Sequence, residues 1–97
     1  MNTGVQTAKT NAGFLQLETD AMSPTYKAGD YVAVERGDFT EDGIYAIGIG
    51  GVIQIKRLMW IPQGFLVISD NKAYPSYPVR VQDIDIVGKV SAACILL

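Results

Sequence analysis

The sequence has no histidine and a single cysteine in 97 residues. Without histidine, neither a Ser-His-Asp nor a Cys-His site can be assembled within the chain. One cysteine and no histidine also deprive a zinc ion of its usual ligands, so no metal or other cofactor is expected. Cys94 has no internal partner for a disulfide, which suits a reducing, cytoplasmic compartment rather than a secreted scaffold. In the apolar tail 92–97 it reads as a buried structural thiol. Positive charge is short as well: eight Lys and Arg stand against ten Asp and Glu, a formal net charge of −2. A domain that neutralises phosphates carries a basic excess, so this segment is not expected to bind DNA or RNA itself. No apolar run reaches the roughly 18–20 residues that span a bilayer. Residues 1–11 are polar and lack the apolar stretch of a signal peptide. They read as a flexible leader or linker remnant ahead of one domain at 12–97, and the length suits one domain rather than two.

What is present is ordinary globular composition, 48% hydrophobic and 19% charged, divided into short runs. Strands are expected at 14–17, 31–35, 44–49, 52–58, 65–68 and 84–97, the last bent near Gly88. The pair Gly50-Gly51 between two β-branched runs is the clearest hairpin signal, because left-handed backbone angles cost least at glycine. Pro62-Gln63-Gly64 marks the next turn, and 69–78, with two prolines, reads as a loop. Residues 19–30 are too broken for a long helix, although proline's fit to the first helical position allows one turn after Pro24. With no long 3.6-residue periodicity, the expectation is a mainly-β fold: a small twisted sheet or partly open barrel with at most one short helical turn.

Two segments carry candidate chemistry. One is Asp20-Ala21-Met22-Ser23-Pro24-Thr25, followed by Gly29-Asp30. The other is Ile55-Lys56-Arg57-Leu58, in the second hairpin strand. Alternate residues of a strand share a face, which puts Lys56 with Val52, Gln54 and Leu58. A lysine among apolar neighbours loses solvation in its charged form and its pKa falls. A neutral amine can then act as general base for a hydroxyl nucleophile. Alone, the same pattern describes a surface lysine that snorkels past its neighbours, and the first segment alone describes a well-formed loop.

Taken in order, the motifs resemble the serine–lysine peptidase family of LexA, UmuD and the cI-type phage repressors. Met22, Pro24, Thr25, Gly29 and Asp30 fill a Ser-Met-x-Pro-Thr…Gly-Asp pattern. Ile55, Lys56, Arg57 and Leu58 fill a Val/Ile-Lys-Arg-Leu pattern. Ser69-Asp70-Asn71 with Tyr74-Pro75 is similar to the family's Ser-x-Asn and Tyr-Pro loop, and Ile86-Val87-Gly88-Lys89-Val90 to its closing strand. The likeness runs from about Phe14 to the C-terminus. One departure stands out. The family's nucleophilic serine precedes the methionine, and that position holds Ala21, while Ser23 occupies the variable position. An alanine forms no acyl-enzyme. Either the serine was replaced to stop self-cleavage or a natural protein has lost activity; the intact surroundings favour replacement.

The resemblance implies a domain that dimerises a repressor and cuts its own chain upstream. In the family a RecA filament formed in the SOS response stimulates the cut, and some phage repressors answer to an antirepressor protein instead. It further implies Lys56 as general base, Ala21 as the nucleophile position, and the backbone amides of Asp20 and Ala21 as oxyanion donors. Met22, Pro24, Gly29, Asp30 and Arg57 would support the motif. Homodimers or higher oligomers are implied, with DNA reached only through a separate N-terminal domain and no membrane partner. The bond between Ala12 and Gly13 has the family's Ala-Gly form but lies too close to Ala21, just ahead of the strand 14–17 that feeds the turn, whereas the family's scissile segment lies further upstream. The apolar C-terminal strand suits pairing across a two-fold axis, or a central place in the chain's own sheet. A non-catalytic binding module and a signal-peptidase-like protease are the competing functions.

Overall fold

The computed structural model describes residues 12–94. The leader expected at 1–11, the tail 95–97 and the side chain of Cys94 lie outside the described residues. Two short turns lay down the middle of the sheet. Gly50 and Gly51 take φ of 59° and 82° and close β3 (Gly43–Ile49) on β4 (Val52–Ile61), as a two-residue hairpin requires. Pro62-Gln63 then closes β4 on β5 (Gly64–Ile68), with Ile61 opposite Gly64 and Arg57 opposite Ile68. The remaining strands are β1 (Ala12–Gln16), β2 (Tyr31–Arg36), β6 (Tyr77–Val79) and β7 (Asp85–Cys94). All seven form one antiparallel sheet in the order β1-β2-β7-β3-β4-β5-β6. The mainly-β expectation therefore holds, as an open sheet.

Two local expectations change. The stretch 69–78 is not all loop, since its end forms β6 against Phe65–Val67 in β5. No helix follows Pro24. The chain there makes linked tight turns, with Ser23 N–H donating to Asp20 C=O (3.0 Å) and Tyr26 N–H to Met22 C=O (2.9 Å). The helical turn is a 3-10 segment at Val81–Asp83. Of the two placements open to the apolar C-terminal strand, β7 takes the central one, between β2 and β3. β3 pairs with it as far as Lys89 and β2 from Gly88 onward. Beyond Lys89 its β3-side edge therefore has no strand partner among the described residues. The pairing skips Val87 on one side and Ser91 on the other, two bulges that bend the strand around Gly88. A Cβ at Gly88 would lie 2.2 Å from the Glu35 carbonyl oxygen, so the close passage of β2 over the bend requires glycine.

Alternation along β3 builds a core on each face of the sheet. Ala46, with Ile44 packed against it, joins Leu17, Met22, Val32, Val34 and Ile55. Tyr45 and Ile47 join Leu58, Phe65, Val67 and Ile84. Among the described residues no helix is long and apolar enough to cross a membrane.

Candidate active site

The loop between β1 and β2 is pinched at its neck. Leu17 N–H donates to Asp30 C=O (2.8 Å) and Gly29 N–H to Leu17 C=O (2.7 Å). Gly29 has φ of 95°, a left-handed angle that favours glycine. The Asp30 carboxylate accepts the Lys27 N–H at 2.8 Å. Gly29 and Asp30 thus frame the loop rather than face a ligand. At its far side Met22, 1% exposed, plugs into the first core. Burying a methionine side chain contributes about 1.5–3 kcal/mol, enough to fix its neighbour Ala21, which is also buried. Pro24, joined to Ser23 by a cis peptide, is exposed at the tip.

Lys56 is not a surface lysine. It is 9% exposed, opposite Tyr45 in the β3–β4 register. Its Nζ donates to Ser69 Oγ at 2.6 Å and lies 5.6 Å from the centre of the Tyr74 ring. Burial pushes the Lys56 ammonium below the ordinary lysine range, the direction a general base needs.

Arg57, on the opposite face of the strand, grips Asp70 with two bonds of 2.8 Å, Nε to Oδ1 and Nη2 to Oδ2. Thr25 Oγ1 donates to the same Oδ2 at 2.6 Å. The Arg57 guanidinium holds the Asp70 carboxyl below the usual carboxylate range, with a smaller contribution from the Thr25 hydroxyl. Next along the chain, Asn71 N–H donates to Ala21 C=O (2.9 Å) and Asn71 Nδ2 to Asp20 C=O (3.1 Å). Tyr74 Oη donates to Asp20 Oδ1 at 2.5 Å. Loop 69–74 therefore bridges the two motif segments: it touches Lys56, Arg57, Asp20, Ala21 and Thr25.

Ala21, Met22, Lys56 and Tyr74 line one groove of about 460 Å³, walled by residues 15–19 and by 52–55 of β4. Ser23 is not among its lining residues. The Ala21 amide donates to Thr19 Oγ1 at 3.3 Å. Because C=O and N–H of a trans peptide are antiparallel, the Asn71 grip on the Asp20 carbonyl also fixes where that amide points. The peptide bond between Ala12 and Gly13 lies within β1, opposite Glu35 and Val34. No group of three or more His, Cys, Asp or Glu is placed to hold a metal among the described residues.

Residues 1–91 match the family described as Peptidase S24-like. The chain belongs to that family. It is a LexA-like, peptidase-type domain, and the match takes in both motif segments and the loop that joins them. No curated protein matches the chain. The contacts of Ser69 and Tyr74 were not foreseen from the sequence, although one signal was available. The turn at Pro62-Gln63 pairs Arg57 with Ile68, which carries the next rung to Lys56 and Ser69.

Proposed function

We propose that this chain is the dimerisation and self-cleavage domain of a phage-type transcriptional repressor, silenced at its nucleophile. The observation that carries this reading is a buried lysine with a depressed pKa sharing one groove with Ala21. In that reading Lys56 is the general base and Ala21 occupies the place of the nucleophilic serine. With a serine there, the neutral Lys56 amine takes the hydroxyl proton as the oxygen attacks the scissile carbonyl. The amides of Asp20 and Ala21 steady the oxyanion, the Ala21 N–H giving up its bond to Thr19 Oγ1 to do so. The lysine then returns the proton to the leaving amine, and water, deprotonated by the same lysine, releases the acyl group. As it stands, the Ala21 methyl group cannot begin this sequence.

Dimerisation is supported by β7, whose edge beyond Lys89 lacks a strand partner among the described residues. Pairing that edge across a two-fold axis completes its hydrogen bonds. DNA binding would belong to a separate domain, and a RecA filament or an antirepressor protein would supply the inducing signal. A second reading, a binding module that keeps the fold without chemistry, is favoured by Ala21 itself. The experiment is Ala21→Ser in a chain extended by its natural upstream sequence, with products identified by mass spectrometry. The proposal expects two fragments from Ala21→Ser and none once Lys56→Ala is added. An uncut, folded Ala21→Ser chain would favour the binding module.

A further inference from the structure

The geometry points to Ser69 as the positioning residue of the lysine base, a role that deepens the peptidase reading and rests on it. Ser69 is 7% exposed and is not among the residues lining the groove, whereas Lys56 is. Its hydroxyl is therefore covered, bonded to the amine and set back from the groove that Lys56 reaches. A neutral amine has two N–H bonds and one lone pair. Directing one N–H to Ser69 Oγ, at 2.6 Å, removes the freedom of the amine to rotate, so the lone pair can be held toward the nucleophile position.

The backbone that carries Ser69 is fixed from both sides. Asp70 is gripped by Arg57 and Thr25. Asn71 N–H holds the carbonyl of Ala21 itself. Two residues of chain therefore join the partner of the base to the peptide of the nucleophile, and the separation of base and nucleophile is set by this one segment. Misplacing a catalytic group by about 1 Å costs on the order of 100-fold in rate, so a device that fixes the separation matters to the chemistry. An acceptor on the amine also favours its charged form over its neutral form. Ser69 then opposes part of the burial effect on Lys56.

The test reads the lysine directly, in the chain as it exists with Ala21, by following the Lys56 Nζ resonance with pH. Ser69→Ala is expected to move the Lys56 midpoint to lower pH, and Ser69→Thr, which keeps the hydroxyl, to move it back. Should Ser69→Ala not fold, Ser69→Cys, nearly the same size with a weak acceptor, is expected to shift the midpoint the same way. In the Ala21→Ser background, Ser69→Ala should lower cleavage about 100-fold, with Ser69→Thr restoring most of it. A Lys56 midpoint unmoved in folded Ser69→Ala overturns the inference. A shifted midpoint in a chain whose Ala21→Ser form never cleaves sustains the Ser69–Lys56 coupling and rejects the peptidase reading.

Discussion

The two halves of β4 differ in what lies along their edges. From Arg57 to Ile61 the strand is paired with β5 on one edge, and over Arg57 and Leu58 with β3 on the other. From Val52 to Lys56 only β3 pairs with it among the described residues, and the opposite edge borders the groove. Side-chain exposure does not follow the same division: Val52 and Ile53 in the first half and Trp60 in the second are more than half exposed, while Lys56 in the first and Leu58 in the second are buried. The boundary falls between Lys56 and Arg57, the two central residues of the second motif. One rung past the last β4–β5 pair, the side-chain bond from Lys56 to Ser69 stands where the next ladder step would be. A sheet that continued there would fill the space a substrate needs. One that stopped earlier would leave Lys56 in water with an ordinary pKa. The candidate chemistry therefore depends on where strand pairing ends.

The sharpest separation of the two halves comes from Leu58. Leu58→Ala empties a fully buried site in the second core and should destabilise the domain by about 2–5 kcal/mol, measured by urea unfolding. An equally large loss from Ile53→Ala would contradict the contrast. Asp70→Asn comes next. It breaks the bridge between Arg57 and Thr25, and because Arg57 is part exposed, water screens the pair and the loss should be about 1–2 kcal/mol. Its pH dependence follows from the depressed Asp70 pKa. That contribution is complete above the unfolded carboxylate value of about 4 and disappears as pH falls through the lower folded value. The stability gap between parent and Asp70→Asn should therefore narrow in acid; a constant gap would mean the carboxylate is not the source. Amide exchange should then be faster in 52–56 than in 57–61, and uniform protection along β4 would deny the open edge. The smallest effect is expected for Ile53→Ala, within about 0.5 kcal/mol of the parent.

Much of this arrangement was legible in the sequence, for identifiable reasons. Gly50-Gly51 and Pro62-Gln63-Gly64 are turn signals that fix register, so the hairpins followed from local chemistry. The bend at Gly88 was visible for the same reason, although its cause, the passage of the Glu35 carbonyl, involves a residue more than fifty positions away. Lys56 was a candidate from its apolar surroundings, but its burial depends on Tyr74 and Ser69, which no periodicity brings near. The place of β7 between β2 and β3 was also hidden, because an apolar strand reads alike at an edge and at the centre of a sheet. Arg57 and Thr25 stood out as motif residues with no evident partner. Their common partner, Asp70, is a tertiary contact.

The most direct test of the central claim is the pH dependence of cleavage by the Ala21→Ser chain carrying its upstream sequence, from about pH 6 to about pH 10. The account predicts a rate that climbs with pH as Lys56 loses its proton, along a limb whose midpoint lies below that of an ordinary lysine and which vanishes in Lys56→Ala. Absence of cleavage in a folded chain, or a rising limb that survives Lys56→Ala, would contradict it.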